Sequence, residues 1–197
     1  MLEVVQREEI TRRDELLAKA AHLFRVKGYH ATTMKDIAAE LDILPGSLYH
    51  HISSKESLLV EIMQRGIEAL MEQVRPVALS KQSPIAKLRH IVHIHVEAIA
   101  KYPDILTVFL HEVKSLPPEK QGQQLQLRDE YEHLLKHVVE EGQAQGLFRP
   151  MHPRMATNAI LGMVNWLYSW YRPGGGLTLA QIADEFLTLM TQGLVTT

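Results

Sequence analysis

Apolar residues recur at intervals of three and four along most of the chain. The first stripe of this kind consists of Leu16, Leu17, Ala20, Ala21 and Phe24. The same spacing predicts helices over residues 12–27, 34–41, 45–52, 54–76, 84–101, 103–114, 119–145, 153–171 and 178–194. No stretch alternates apolar and polar residues for long enough to indicate a strand. We therefore predict an all-α chain of about nine helices.

Glycines and small polar residues mark the ends of these predicted helices. Gly28 stands where a helix C-cap places a left-handed residue. Thr32 is the expected N-cap of the second helix, and Ser53 or Ser54 that of the fourth. A capping box is not expected after Ser54, because Ser57, three residues on, is neither Glu nor Gln. One longer helix followed by two short helices and a tight turn is the pattern of a helix-turn-helix.

Composition limits the classes of protein to which the chain can belong. It has 197 residues, 46% of them hydrophobic, which is enough for a small domain joined to a larger one. No run approaches the ~18 apolar residues of a membrane span, and the first residues lack the apolar core of a signal peptide. Cysteine is absent, which excludes disulfides and thiolate metal sites. We expect a cytoplasmic protein that does not contact a membrane.

Four short motifs occupy the two short helices and the start of the fourth helix. They are Thr32-Thr33, Ile37-Ala38-Ala39, Gly46-Ser47-Leu48-Tyr49 and Ser54-Lys55-Glu56-Ser57-Leu58. Together they resemble the DNA-binding region of TetR-family transcriptional regulators, and the match extends without a gap from about residue 12 to residue 60. The resemblance implies a helix-turn-helix DNA-binding domain over residues 8–54 and an effector-binding and dimerisation bundle over residues 55–197. It also implies a repressor that a small-molecule effector releases from DNA.

In a helix-turn-helix, the recognition helix enters the major groove of double-stranded DNA by its N-terminal residues. Gly46 allows a close approach of the backbone, and Ser47 can donate to a base or a phosphate. Tyr49 and His50 can reach phosphates, although Tyr49 also suits packing with a solvated hydroxyl. Leu48 is expected to face the core. With residues at the N-termini of neighbouring helices added, the predicted DNA-binding residues are Thr33, Lys35, Gly46, Ser47, Tyr49, His50 and Lys55.

Two features weigh against DNA binding. Residues 1–60 contain eight Lys or Arg and nine Asp or Glu, a net charge of −1, whereas phosphate contacts normally come with a basic surface. A DNA-binding face must then arise from local placement of a few cations and helix ends. The motif also departs from the family's usual pattern at Asp42, Leu44, Pro45 and Ile52, although Asp tolerates a left-handed turn and Pro suits the first position of a helix. A helical small-molecule carrier without DNA function is therefore kept as an alternative.

The last two long helices are the predicted dimer interface. Residues 153–171 and 178–194 are strongly apolar, more than a small bundle needs for its own core. The resemblance implies that they pair two chains into a homodimer, and the alternative is that they fill the core of a monomer. A two-fold dimer places two recognition helices about one turn of DNA apart, ~34–36 Å, so the operator is expected to be palindromic.

An aromatic cluster, Asn-Trp-Leu-Tyr-Ser-Trp-Tyr-Arg at residues 165–172, contains both tryptophans of the chain. Trp166 and Trp170 are four residues apart and thus share a helix face. Residues 165–194 are similar to the C-terminal end of TetR regulators that sense acyl-coenzyme A thioesters in fatty-acid, steroid or aromatic-acid breakdown. Such a ligand needs an apolar slot for its acyl chain and cations for its phosphates. The predicted ligand-binding residues are Phe109, Trp166, Trp170 and Arg172. Core or dimer packing of the tryptophans, and stabilisation of a helix C-terminus by Arg172, are the alternatives.

Catalysis and metal binding find little support in the sequence. His133 and His137 have the i, i+4 spacing of metal ligands, but no His-Glu-x-x-His pattern accompanies them. No Ser-His-Asp set, glycine-rich phosphate loop or paired-carboxylate motif stands out. We predict that the chain is not an enzyme and that it holds no metal and no cofactor, and we keep a histidine-dependent metalloenzyme as a third alternative.

Overall fold

The computed structural model describes residues 2–194, with the side chains of residues 12–50 and 52–192. Within residues 2–194 the chain forms ten α-helices and no strand, which confirms the all-α prediction. The helices are α1 (Leu2–Lys27), α2 (Met34–Glu40), α3 (Pro45–His51), α4 (Lys55–Ala78), α5 (Pro84–Lys101), α6 (Pro103–His111), α7 (Pro118–Ala144), α8 (Pro153–Asn165), α9 (Leu167–Trp170) and α10 (Leu179–Leu194). A short 3₁₀ helix, Val113–Ser115, lies between α6 and α7.

The chain divides into two compact units. The first consists of Met1–Gly66 and Asp104–Leu125, and the second of Ile67–Pro103 and Gln126–Thr197. The first unit thus contains α1 to α3, the beginning of α4, nearly all of α6 and the first turns of α7. The domain limits expected from the sequence, residues 8–54 and 55–197, stay a prediction.

The core of the first unit follows the predicted apolar stripe of α1. All five residues of that stripe are buried: Leu16, Leu17, Ala20, Ala21 and Phe24. Ile37 and Ala38 of α2 and Leu48 of α3 are fully buried as well, so Leu48 faces the core as predicted. Truncating a fully buried leucine to alanine typically costs about 2–5 kcal/mol, which makes Leu48 an anchor that fixes the rotation of α3.

The N-cap of α2 is Thr33, and the prediction of Thr32 was wrong by one residue. Thr33 has extended backbone angles, and its hydroxyl accepts from the amide of Asp36 at 3.1 Å while the Asp36 carboxylate accepts from the amide of Thr33 at 2.8 Å. Thr32 instead is buried, and its hydroxyl donates to the carbonyl of Gly28 at 2.9 Å. Gly28 has φ +83°, the left-handed conformation predicted for the end of α1.

A capping box at the start of α4 was not expected, yet the structure contains one. The Ser54 hydroxyl accepts from the amide of Ser57 at 3.0 Å, and the Ser57 hydroxyl accepts from the amide of Ser54 at 3.1 Å. Serine therefore takes the place of the usual Glu or Gln three residues after the cap. α4 begins at Lys55, directly after this cap.

The second unit is built around α5, which contacts α8, α9 and α10. The predicted single helix over residues 153–171 is interrupted at Trp166. α8 ends at Asn165, and the single turn of α9 begins at Leu167. Beside this break, the carbonyl of Trp166 accepts from the amide and the hydroxyl of Ser169, at 3.1 and 2.7 Å. No helix in the described part of the chain is long and apolar enough to span a bilayer.

Candidate functional site

A tight turn connects α2 to α3 and sets the direction of the second short helix. Asp42 has φ +59°, the left-handed conformation that Asp tolerates in place of the glycine usual in the family. The amide of Ile43 donates to the carbonyl of Ala38 at 3.0 Å, which closes the turn. Pro45 occupies the first position of α3, as predicted, while Leu44 at the N-cap makes no side-chain capping bond. The N-cap residue of α3 therefore provides no side-chain acceptor for the first amides of the helix.

One face of α3 is exposed from Gly46 to His50. Gly46, Ser47, Tyr49 and His50 are all exposed, whereas Leu48 between them is buried. A Cβ atom added at Gly46 would meet no other atom of the chain within 4 Å. Packing within the chain therefore does not require glycine at this position, and a close approach by an external partner gives a reason for it. Hydroxyl, phenol and imidazole groups are suited to donate to phosphates or base edges.

Leu44 is the most exposed large apolar side chain, at 76% of its surface, among those at described positions. It lies at the N-terminus of α3, beside the exposed polar face. An apolar side chain in this place can contact the C5-methyl group of thymine in the major groove. Its chemistry therefore suits contact with a thymine base.

The N-terminus of α2 carries two of the predicted phosphate-binding residues. The hydroxyl of Thr33 is engaged in the capping box, where it donates to the carboxylate of Asp36. It therefore has no unused donor in this conformation, and only its exposed surface is available to a partner. Lys35 is exposed and forms no ion pair with any side chain that the structure describes. The pKa of Asp36 is held well below its usual range by hydrogen bonds from Lys27 and then from Thr33. This carboxylate thus stays charged and keeps the cap in place.

Lys55, the first residue of α4, does not point freely to solvent. Its ammonium donates to the carbonyls of Thr32 at 2.7 Å and Tyr29 at 2.8 Å, and to that of His30 at 3.4 Å. It also lies 4.4 Å from the centroid of the Tyr29 ring. The predicted phosphate contact of Lys55 stays a prediction, and in this conformation its donors are used within the chain.

Acidic residues of the first unit are neutralised locally. Glu40 pairs with Lys19 at 3.1 Å, and Asp36 with Lys27 at 2.9 Å. The other ion pairs of this unit include Arg13–Glu61, Arg65–Asp14 and Lys120–Glu56. At least four of the nine acidic residues among residues 1–60 are therefore paired. Since α3 itself has no acidic residue, the net charge of −1 does not describe its exposed face.

The candidate ligand-binding residues are divided between the two units. Trp166 and Trp170 are 61% and 45% exposed, so neither belongs to the core of a single chain. Arg172 is exposed and donates to the carbonyl of Tyr171 at 2.8 Å. These three lie within one short segment of the second unit. Phe109, on α6, is buried in the first unit.

The second unit contains a buried polar cluster that was not predicted from the sequence. The Tyr131 hydroxyl of α7 donates to Nδ1 of His95 at 2.7 Å, and Nε2 of His95 donates to the Asn165 side-chain oxygen at 3.0 Å. Burial lowers the pKa of His95 to about 4, while the bond to Asn165 opposes this shift. The signal was present, because His95 continues the buried stripe of Ile91 and Ile99 on α5.

The histidine pair considered for metal binding is exposed on α7. His133 and His137 both lie at the surface of that helix. Among the described residues, no three His, Asp or Glu side chains are arranged to hold a metal ion.

Two family models match the chain. Residues 16–62 match the model of bacterial regulatory proteins of the tetR family, and residues 81–194 match the model of the tetracyclin repressor-like C-terminal domain. The second match alone covers more than half of the chain.

Characterised relatives match nearly the whole chain. The HTH-type transcriptional repressor KstR2 of Rhodococcus jostii (strain RHA1) is 36% identical, over 93% of this chain and 91% of that protein. The structure of the ketosteroid transcriptional regulator KstR2 of Mycobacterium tuberculosis has a TM-score of 0.87 at 30% identity, covering 94% of this chain and 96% of that one. The structure of AibR in complex with isovaleryl coenzyme A and operator DNA has a TM-score of 0.83 at 32% identity, covering 90% of this chain and 97% of that one.

These matches agree with the geometry of the first unit, in which two short helices and a tight turn present one exposed polar face. They confirm the resemblance seen in the sequence and the prediction that the chain is not an enzyme. The chain belongs to the TetR family of bacterial transcriptional regulators and is a transcriptional repressor of that type.

Proposed function

We propose that two copies of this repressor bind a palindromic operator through α3 and that an acyl-coenzyme A thioester releases them. The observation that carries the proposal is the 32% identity, over 90% of the chain, to AibR, whose structure contains both isovaleryl coenzyme A and operator DNA. The cytoplasmic location expected from the sequence belongs to the same proposal.

DNA contact is assigned to the exposed face of α3 and to the N-terminus of α2. Ser47 reads a base edge or a phosphate, Tyr49 and His50 bind phosphates, and Gly46 lets the backbone approach. Thr33 and Lys35 anchor a phosphate at the start of α2. The buried Leu48 supports this assignment, because it holds the opposite face of α3 against the core.

Dimerisation is assigned to the outer faces of α8 and α10. Met155, Ala159 and Gly162 are exposed at helical spacing along α8, and Leu189 is exposed on α10. A Cβ atom at Gly162 would meet nothing within 4 Å, so a helix of a partner has room to approach closely. An apolar exposed stripe with small residues at its centre suits a two-fold helix–helix interface.

Effector binding is assigned to Trp166, Trp170 and Arg172 of the second unit, and a role of Phe109, which lies in the first unit, stays a prediction. The aromatic rings supply apolar surface for an acyl chain, and the guanidinium of Arg172 suits the phosphates of coenzyme A. KstR2 of Mycobacterium tuberculosis is described as a ketosteroid transcriptional regulator, and the AibR structure contains isovaleryl coenzyme A, which has a short branched acyl group. Both a short branched acyl chain and a ring-bearing one are therefore candidates.

Mobility shift of the DNA directly upstream of the chain's own gene tests both halves of the proposal. We expect a specific complex that isovaleryl coenzyme A or a longer acyl-coenzyme A weakens by about 5–150-fold, the usual range of coupling between two sites, while free coenzyme A does not. Trp170→Ala and Arg172→Ala should reduce this release, and Arg128→Ala, at an exposed site on α7, should not. Binding that persists with every acyl-coenzyme A would overturn the effector assignment and leave the DNA assignment in place.

A further inference from the structure

We infer that Lys55 supports operator binding as a positioning residue, by fixing the loop of residues 28–33 that carries the start of α2, and not by contacting a phosphate. The inference rests on the proposed DNA contact of α2. It concerns how the DNA-binding surface is held in place before DNA arrives.

The geometry around the ammonium is that of an internal clamp. A lysine ammonium has three N–H donors and no acceptor. Here the carbonyls of Thr32 and Tyr29 accept at 2.7 and 2.8 Å, the carbonyl of His30 lies at 3.4 Å, and the Tyr29 ring covers a further side. A phosphate contact would have to break one of these bonds. The ammonium is therefore used up by the loop.

The three carbonyls lie in a loop after α1 that has few backbone donors of its own, so a cation at this place stabilises the loop. The loop follows the end of α1 at Lys27, where helix carbonyls lack partners and the helix dipole is negative. Within the loop, the amide of Thr32 donates to the carbonyls of Gly28 and Tyr29 at 3.2 and 3.3 Å, but the carbonyl of Thr32 itself turns to Lys55. Lys55 thus supplies the donors that this chain reversal lacks.

The same loop determines where α2 begins. Thr32, whose carbonyl Lys55 holds, is followed directly by the N-cap Thr33. Asp36 holds Thr33 from within α2, through its amide and its hydroxyl at 2.8 and 2.7 Å. The start of α2 is therefore fixed from two sides, by Lys55 at one residue and by Asp36 at the next. Without Lys55 the carbonyl of Thr32 is no longer held, so the loop before α2 can move. The proposed phosphate-binding residues Thr33 and Lys35 then move with it.

The salt dependence of DNA binding separates positioning from phosphate contact. Each phosphate that a cation neutralises adds about 0.9 to the slope of log K against log salt concentration. Lys35→Ala removes one phosphate contact from each of the two copies, so we expect it to lower this slope by about 1.8, measured on the DNA upstream of the chain's own gene. Lys55→Ala should weaken binding by about tenfold or more while its slope stays within about 0.3 of wild type, since only hydrogen bonds to a charged donor are lost.

A charge-conserving variant gives a second discrimination. Lys55→Arg keeps the positive charge, and an arginine at a phosphate contact binds as well as a lysine or better. The planar guanidinium fork does not match three carbonyls that converge on one point. We therefore expect Lys55→Arg to remain weakened, close to Lys55→Ala. Full recovery of affinity with arginine would overturn the inference.

Hydrogen exchange of the free protein tests the clamp without DNA. In Lys55→Ala and Lys55→Arg, amides of residues 28–36 should exchange about tenfold faster or more, while those of α10 keep their protection. Unchanged exchange in this loop, or a loss of slope as large as that of Lys35→Ala, would show that Lys55 contacts phosphate instead. Failure of the wild type to bind the upstream DNA would refute the proposed function, and the exchange result would still decide the role of Lys55.

Discussion

At the scale of single residues, the burial of His95 makes the stability of the protein depend on pH. Its pKa of about 4 lies below the 6.5 of a free imidazole, chiefly because burial disfavours the charged ring. The unfolded chain therefore binds a proton at a higher pH than the folded chain does. Stability should be full above pH 6.5 and should fall as the pH drops from 6.5 to about 4, by about 3 kcal/mol in total from this residue.

Denaturant unfolding measured between pH 4 and pH 7 checks this prediction. His95→Gln should flatten the acid-side decline of the free energy of unfolding, although the variant itself is less stable at pH 7 because Tyr131 loses its acceptor. His90→Gln, at an exposed position of the same helix, controls for the loss of one imidazole. A decline equally steep in His95→Gln and wild type would contradict the prediction.

Residues were predictable from the sequence where one strong local preference decides their conformation. Gly28 was expected to be left-handed and is, and Asp42 adopts the left-handed conformation that the sequence left open to it, because few other residues tolerate positive φ. The N-cap was predicted one residue too early, since Thr32 and Thr33 have the same side chain and only tertiary burial tells them apart. The engagement of Lys55 was beyond the sequence, because its partners lie more than twenty residues away in the chain.

At the scale of elements, α7 contains two glycines in opposite surroundings. A Cβ atom at Gly142 would come within 2.1 Å of the Phe148 ring, which is fully buried, whereas one at Gly122 would meet nothing within 4 Å. Gly122→Ala should stabilise the protein by about 0.5–1 kcal/mol through helix propensity. Gly142→Ala should destabilise it by about 1–3 kcal/mol, because the ring has no free space to move into.

Thermal unfolding of the two variants provides the comparison, each serving as the control for the other. For a chain of this size 1 kcal/mol corresponds to a change of about 2–4 °C in Tm. The midpoint should rise for Gly122→Ala and fall for Gly142→Ala. Equal shifts in the same direction would show that helix propensity alone governs both positions.

Helices were predictable wherever the apolar spacing was long and uninterrupted. α5 was expected over residues 84–101 and occupies Pro84–Lys101. The break between α8 and α9 was not predictable, because the apolar pattern continues across Trp166 without a proline or a glycine that would mark it. The unexpected capping box at Ser54 was not predictable either, since it depends on one hydroxyl adopting one rotamer.

At the scale of the whole molecule, the family and the all-helical fold follow from the sequence, and the division of the chain does not. The recognition helix could be located because its motifs are local and contiguous. The first unit, in contrast, also includes Asp104–Leu125, which the sequence places far from the DNA-binding motifs. The ion pair of Asp104 with Arg25 belongs to this unit, and no local sequence pattern predicts it. Contacts between residues so far apart in the chain depend on tertiary packing, which local apolar spacing does not encode.

The proposed dimer makes a prediction that depends on the whole assembly. Leu189 on α10 and Leu79 after α4 are exposed to nearly the same extent, 59% and 61%, but only Leu189 lies on the proposed interface. In a two-fold interface each substitution occurs twice, so Leu189→Arg buries two unpaired charges at a cost of several kcal/mol. We expect Leu189→Arg to raise the dimer dissociation constant by at least about a hundredfold, in sedimentation velocity, and to abolish specific DNA binding because both half-sites are needed. Leu79→Arg should leave both properties unchanged, and a Leu189→Arg protein that stays dimeric would place the interface elsewhere.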